Sequence, residues 1–392
     1  MKKEILLGIT GGIAAYKVVE VASRLTKMGY SVNTVMTEGG TKFVAPLTFQ
    51  SITHNPVHTD LFSPPEHFNV KHISLADRAD LCLIAPATAN FIGKLAGGIA
   101  DNLLSTIIMA TKAPVLIAPS MNVNMYHNSI FQDNISYLKK KGYEVIDPDK
   151  GYLACGYQGE GRLPEPELLV DLITGRLSEK DFAGKKILVT AGPTREYLDP
   201  IRFLSNKSSG KMGYALARTA ARRGAEVTLL SGPVNLTPPY GVETIFIESA
   251  SQLAEEVKLH SQNYDIVIMA AAVADFRPAD YQKEKIKKGK QFDNFKLNMM
   301  RNSDILEGIG RHKKKRQILV GFAAESEDLL NNARDKMEKK NLDMIVANDI
   351  AGFTSDQNSV TIITKKYAKD IPLMKKTEIA GIIFDGISEL LK

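Results

Sequence analysis

Three residues in the first half of this 392-residue chain have side chains suited to acid–base work: His72, Asn122 and Cys155. His72 stands at the start of an expected short strand, Lys71–Leu75, and a lone histidine there is usually a surface or satisfied residue and not a catalyst. Asn122 follows a strand in Pro119-Ser120-Met121-Asn122-Val123-Asn124-Met125-Tyr126, where asparagine is also an ordinary turn former. Cys155 lies in the glycine-flanked loop Leu153-Ala154-Cys155-Gly156. Free cysteines are mostly buried small hydrophobes, as expected of Cys82 within its strand, and a loop cysteine beside glycine fits that role poorly.

Around these residues, strand ends carry small polar side chains. Ile5–Ile9 runs into Thr10-Gly11-Gly12-Ile13-Ala14-Ala15, which opens a helix. Glycines there let backbone amides approach an anion at the helix N-terminus. The G-x-G-x-x-G spacing of a dinucleotide site is missing, which favours a mononucleotide phosphate. A second strand ends Met36-Thr37-Glu38. A third ends Ala85-Pro86-Ala87-Thr88-Ala89-Asn90, and Gly97–Thr106, with Ser105, comes next. Each reads alone as a loop or helix cap. Together they point to one ligand beyond the carboxyl ends of a parallel sheet.

In the second half, Val189-Thr190-Ala191-Gly192-Pro193-Thr194-Arg195-Glu196 is a strand entering a glycine loop. Ser205-Asn206-Lys207-Ser208-Ser209-Gly210-Lys211-Met212-Gly213 precedes a helix. It lacks the first glycine and the final Ser/Thr of a P-loop, so it is read as an anion cradle and not a Walker A. Ala270–Asp275 follows the strand Ile266–Met269. The run Lys283–Lys290 is usually a solvated face, with nucleic-acid contact as the other common reading. Lys336 and Lys340, four apart on an expected helix, present both ammonium groups on one side.

These residues need a scaffold of alternating strands and helices. Val18, Val21, Ala22 and Leu25 recur with helical spacing after the first strand, and Tyr30–Met36, Leu81–Ala85, Val115–Ala118 and Tyr143–Ile146 read as further strands. A helix over Glu167–Arg176 leads to a polar link, Leu177–Lys185. A second series follows: strands at Ile187–Val189, Val227–Leu230, Ile266–Met269, Ile318–Val320, Met344–Ala347 and Val360–Thr364, and helices at Gly213–Arg223, Ser251–His260, Glu325–Lys340 and Thr377–Leu391. The expected fold is α/β, with two Rossmann-like doubly wound domains over residues 1–180 and 184–392 and no sequence repeat between them.

Composition agrees. The chain is 44% hydrophobic and 24% charged, as for a globular protein, and its mild formal net charge of +6 favours anionic small molecules or nothing at all. Two cysteines exclude a disulfide framework and suit a reducing cytoplasm. Asn55-Pro56 between His54 and His58 argues against a helical metal pair. The N-terminal apolar run breaks at Thr10-Gly11-Gly12, so neither a signal peptide nor a membrane span is expected.

Gly11-Gly12-Ile13-Ala14-Ala15-Tyr16-Lys17, Pro86-Ala87-Thr88-Ala89-Asn90, Pro119-Ser120-Met121-Asn122 with Met125-Tyr126, and Ala154-Cys155-Gly156 resemble the homo-oligomeric flavin-containing cysteine decarboxylases, above all those acting on phosphopantothenoylcysteine. Ser120 stands where that family usually has alanine. The resemblance implies FMN bound by Gly11, Gly12, Ile13, Thr37, Pro86, Thr88, Ala89, Asn90, Ser105 and Ser120. It implies oxidation of the substrate thiol to a thioaldehyde, loss of carbon dioxide and re-reduction of the enethiol. His72 assists the oxidation, Asn122 holds the substrate carboxylate and amide, and Cys155 donates the proton. A thiol on a movable loop suits that last task.

Thr190–Glu196, Ser205–Gly213, Ala271–Asp275, Glu284–Lys288, Gly321-Phe322-Ala323-Ala324-Glu325, Asn341–Asp343 and Ala347–Asp349 resemble bacterial CTP-using phosphopantothenate–cysteine ligases. Ser303 replaces a common proline. This resemblance implies CTP bound by Ala271, Asp275, Lys285, Ser303, Asp304, Ile305, Phe322, Lys336 and Lys340. Lys285 stabilises phosphate charge, and Asn206 binds the acyl-cytidylate that cysteine's amine then attacks. Mg²⁺ is implied by the triphosphate, with its protein ligands unassigned. Implied partners are 4′-phosphopantothenate, L-cysteine and CTP, and an assembly of trimeric flavin domains and dimeric ligase domains. No nucleic-acid or membrane partner is expected. The rival readings are a nicotinamide oxidoreductase, a flavin-binding protein without activity and a nucleic-acid binder resting on the lysine runs.

Overall fold

The structure, a computed structural model, describes residues 2–62, 71–152, 156, 158–287, 296–324, 329–348 and 355–391. The chain divides into two compact units, Met1–Leu177 and Ser178–Lys392.

The first unit is a parallel sheet of β1 (Glu4–Ile9), β2 (Ser31–Met36), β3 (Val57–His58), β4 (Leu81–Ala87), β5 (Val115–Pro119) and β6 (Glu144–Val145). Their order is β3-β2-β1-β4-β5-β6, so the winding reverses between β1 and β4. A hairpin of β7 (Asp149–Tyr152) and β8 (Gln158–Arg162) stands apart from the sheet. Helices α1 (Ala15–Lys27), α2 (Glu38–Thr41), α3 (Pro46–Thr53), α4 (Lys71–Arg78), α5 (Ala89–Ala96), α6 (Leu103–Ala110), α7 (Val123–Tyr126), α8 (Ser129–Lys140) and α9 (Pro166–Leu177) connect the strands.

Period-two alternation puts Ile5, Leu7 and Ile9 in one core with Val18, Val21 and Leu25 of α1 and Leu169 and Ile173 of α9. Leu6 faces the opposite core, with Phe91 of α5, Leu104 and Ile107 of α6, and Ile135 and Leu138 of α8. Covered on both faces, the strands read as continuous apolar runs.

The second unit repeats this winding. β9 (Lys186–Ala191), β12 (Glu226–Ser231), β13 (Glu243–Phe246), β14 (Ile266–Met269), β17 (Ile318–Ala324) and β18 (Met344–Asn348) lie in the order β13-β12-β9-β14-β17-β18. Antiparallel β19 (Gln357–Thr364) and β20 (Ala368–Lys375) extend that edge. Two hairpins stand apart: β10 (Arg195–Tyr197) with β11 (Phe203–Ser205), and β15 (Phe276–Pro278) with β16 (Met299–Arg301). Helices α10 (Lys211–Arg222), α11 (Ala250–His260), α12 (Ile305–His312), α13 (Leu329–Lys339) and α14 (Lys376–Leu390) complete it. Ile187 and Val189 face α10 and α14, while Leu188 faces Leu253 of α11 and Ala333 of α13.

Two expectations about local structure change. Residues 71–75 form the first turns of α4, not a strand. Leu75 and Ala76 are its buried face, and β4 already has both neighbours, β1 and β5, so no sheet edge is open there. The stretch 177–185 is not merely a polar link. Phe182 is fully buried and packs edge-on against Phe384 at 5.2 Å. Arg223 stacks over Phe182 at 4.9 Å, bonds Asp181 and reaches Asp385 at 2.7 Å.

Candidate functional site

In an open α/β sheet the loops at a reversal of winding diverge and leave a crevice. In the first unit that crevice is a cleft of about 920 Å³ beyond the carboxyl ends of β1, β2, β4 and β5, within the range typical of ligand sites. Thr10 ties the two switch-point strands: its hydroxyl donates to the Pro86 carbonyl at 2.6 Å and accepts from the Thr88 amide at 3.0 Å. Helix α1 begins beside this knot, and its N-cap, Ala14, has no side chain to accept from the first-turn amides. Those donors and the helix dipole suit an anion.

Gly11, Gly12, Ile13, Thr37, Thr88, Ala89, Asn90, Ser120 and Asn122 all line the cleft. Pro86 and Ser105 do not. Pro86 acts through the Thr10 bond, and the fully buried Ser105 closes the capping box of α6 with Asn102. His72, half-buried on α4, is not among the lining residues. Cys155 lies outside the described residues. Its hairpin is seated close to Asn122, because the Met121 amide donates to the Gly161 carbonyl at 3.0 Å. Gly161, at φ 136°, has no room for a Cβ against the Met121 carbonyl. Sequence reasoning missed Lys17, Lys94 and Arg162, which bring positive charge to the lining. Lys17 bonds Glu165 at 3.1 Å and Lys94 bonds Asp101 at 2.6 Å. Helical spacing alone marks such lysines only as exposed.

In the second unit the loops after β9 and β14 interlock at the equivalent reversal. The Ala271 amide donates to Thr190 Oγ1, and the Ala274 amide to Thr194 Oγ1, both at 3.0 Å. Asn206 is exposed, and its Nδ2 donates to the carbonyls of Ala272 at 3.2 Å and Val273 at 3.1 Å. Asn302 closes the next loop onto this one: its Nδ2 donates to the Ala274 carbonyl and its amide to the Asp275 carbonyl, both at 2.8 Å. Ser303, Asp304 and Ile305 follow directly.

Asp304 caps α12 by accepting from the Glu307 amide at 2.9 Å, and it pairs with Lys340 at 2.6 Å. Partial burial opposes its charge. The Lys340 hydrogen bond, the Glu307 amide and the nearby Lys336 outweigh that and hold the carboxyl below the usual range. Lys336 donates to the Phe322 carbonyl at 3.0 Å. Hydrogen bonds thus join Asp275 to Asn302, Asp304 to Lys340 and Phe322 to Lys336, and the chain carries the first of these on to Asp304. Lys285 is exposed on a different segment, held at Gln282 and Ile286 by the tip of the β10–β11 hairpin. A shallower depression of about 550 Å³ beside α11, with Lys258, Arg277 and Arg301, shares only Ser303 with the expected nucleotide residues. It lies off the strand ends, so the switch point is the better ligand position.

Among the described residues no group of three His, Cys, Asp or Glu side chains is placed to hold a metal, and no helix is long and apolar enough to cross a membrane.

The flavoprotein family matches residues 1–178, and the family of DNA/pantothenate metabolism flavoprotein C-terminal domains matches residues 182–391. The coenzyme A biosynthesis bifunctional protein CoaBC of Bacillus subtilis (strain 168) is 48% identical over 399 residues, covering 100% of this chain and 98% of that protein. The protein of the same name from Vibrio cholerae serotype O1 is 44% identical over 391 residues, covering 99% of this chain and 98% of that one. A solved C-terminal domain of a coenzyme A biosynthesis bifunctional protein CoaBC is 43% identical with a TM-score of 0.48, covering 54% of this chain and 98% of that chain.

Proposed function

The chain belongs to the family of coenzyme A biosynthesis bifunctional proteins, which carry a decarboxylase and a ligase activity, and from that premise we propose how its own residues divide the work. Residues 184–392 join cysteine to 4′-phosphopantothenate at the expense of CTP. Residues 1–180 decarboxylate the product to 4′-phosphopantetheine. The observation that carries the reading is that each unit has polar loops tied together at its own reversal of winding.

In the ligase unit the substrate carboxylate attacks the α-phosphorus of CTP. The α–β P–O bond breaks and pyrophosphate leaves. Lys285 stabilises the charge that develops on phosphate. Cysteine's amine then attacks the acyl carbon and CMP leaves, while Asn206 holds the acyl-cytidylate. Ala271, Asp275, Ser303, Asp304, Ile305, Phe322, Lys336 and Lys340 form the CTP site. Mg²⁺ would enter with the triphosphate and neutralise phosphate charge there, with no residue of this chain assigned to hold it.

In the decarboxylase unit the uncapped start of α1 and the Gly11-Gly12 turn fit the phosphate of FMN, and Thr37, Thr88, Ala89, Asn90 and Ser120 line the space for the rest. Ile13 lies on the same wall, while Pro86 and Ser105 brace it from behind. When bound, FMN supplies reversible two-electron oxidation of the cysteinyl thiol. Asn122 orients the substrate carboxylate, Cys155 returns a proton to carbon, and His72 assists the oxidation. Among the described residues His72 does not line this chain's cleft, and in the proposed trimer it is assigned to the site of a neighbouring subunit. That agrees with FMN sites built between subunits of a trimer, with ligase units dimerised, in a cytoplasmic homo-oligomer.

Purified protein reconstituted with FMN and incubated with phosphopantothenate, cysteine, CTP and Mg²⁺ should yield 4′-phosphopantetheine, carbon dioxide, CMP and pyrophosphate. A flavin spectrum should accompany the protein. Absence of phosphopantetheine from a folded, flavin-loaded sample overturns the reading.

A further inference from the structure

The geometry points to Asp199 as a positioning residue of the ligase reaction: its buried carboxylate fixes the segment that carries Lys285. This rests on the reading of Lys285 as the cation that meets the CTP phosphates.

Asp199 sits in the turn between β10 and β11 and is fully buried. A buried carboxylate is costly unless its oxygens are satisfied, and here both are. Oδ1 accepts from the amides of Ile201 and Arg202, each at 2.8 Å, which shapes the turn. Oδ2 points to a distant part of the chain and accepts from the Ile286 amide at 3.1 Å. Arg202 Nη1 donates to the same Oδ2 and to the Ile286 carbonyl, both at 3.2 Å. The Gln282 amide donates to the Leu198 carbonyl at 2.9 Å. Both backbone groups of the residue next to Lys285 therefore end on Asp199 and Arg202.

Lys283, Glu284 and Lys285 are exposed, with no regular element to hold them. A flexible lysine on an untethered loop meets a transition-state charge only part of the time. Fixing its backbone neighbour removes that search before reaction. The anchoring hairpin also leads through Ser205 directly to Asn206, so one turn organises residues assigned to both half-reactions.

Asp199→Asn separates the two duties of the side chain. The amide oxygen still accepts from Ile201 and Arg202, whereas the amide nitrogen faces the Ile286 N–H with a donor. In the full-length, FMN-loaded protein, hydrogen exchange at the Ile286 amide should accelerate while that at Ile201 does not. Pyrophosphate release at saturating substrates should slow about tenfold to a hundredfold, the loss of one or two hydrogen bonds to a charge, with KM for CTP little changed. In a Lys285→Gln background the same substitution should add almost nothing.

An equal loss in both backgrounds would mean a merely structural role and overturns the proposal. So does unchanged exchange at Ile286. If Lys285→Gln alone leaves pyrophosphate release intact, the reading of Lys285 fails instead, and the exchange result still judges the anchor. Should Asp199→Asn not fold, Ile286→Pro deletes the same donor from the other end of the bond, and its effect with and without Lys285 decides by the same two outcomes.

Discussion

A cation acts chiefly in the transition state when it stands where phosphate charge develops, and truncating such a contact costs about 3–4 kcal/mol, or 10²–10³-fold in rate. Lys285→Gln is therefore expected to slow pyrophosphate formation by about that factor while CTP still binds. A coupled pyrophosphate assay beside nucleotide titration checks both halves of the statement. Proton transfer by a thiol depends in the same way on its surroundings. Burial pushes the Cys82 thiol up to about 12, which removes it from proton transfer near neutrality. An accessible thiol titrates near ~8.5 and is a far stronger acid than a serine hydroxyl. Cys155→Ser should thus release carbon dioxide yet fail to complete phosphopantetheine, seen as labelled gas without reduced product.

At the scale of elements, close packing sets how well the loops are held. Gly213 in the first turns of α10 has no room for a Cβ against Ala191 at the end of β9. Gly213→Ala should push the helix off the strand, cost about 1–3 kcal/mol as overpacking does, and weaken CTP binding through the displaced Ser205–Gly210 loop. Melting temperature and nucleotide affinity falling together is the expected result. Phe182 makes the opposite kind of test. Phe182→Ala leaves a cavity under Phe384 and Arg223 and should destabilise residues 178–392 by about 3–5 kcal/mol, measured by denaturant titration. A free linker residue would show no such loss.

On the proposed division the two chemistries lie on different units, so each should fail alone. Cys155→Ser should still ligate cysteine. Asn206→Asp places a carboxylate beside an anionic acyl-cytidylate, and should stall ligation after pyrophosphate release yet decarboxylate supplied phosphopantothenoylcysteine. Assaying both variants on both substrates tests this, and silence of both activities in a folded, flavin-bound variant would refute it. Acid stability belongs to this scale too. Hydrogen bonds from Lys3 and the Glu4 amide overcome burial at Asp80, the Arg223 contact does so at Asp181, and backbone amides do so at Asp199. Their folded pKa values are depressed, so they add stability that is complete above the unfolded value of ~3.9 and is lost as pH falls through the folded values. Thermal melts should be flat above about pH 5 and fall steeply below pH 4.

Sequence alone determined the two alternating series, most strand cores and the glycine turn at Gly11-Gly12, because periodic burial and turn chemistry are local. It marked Thr88, Asn90 and Asn122 as strand-end residues, and they share one cleft because parallel strands end on one edge. It misread Lys71–Leu75, where a short apolar pattern fits strand and helix alike and only the filled sheet decides. It took Phe182 for part of a linker, since its partner Phe384 is two hundred residues away. The strand order, the reversal between β1 and β4 and again between β9 and β14, and the bond from Asp199 to Ile286 belonged to tertiary structure alone. Such contacts join segments far apart in the chain, and no local propensity or spacing records which of them will meet.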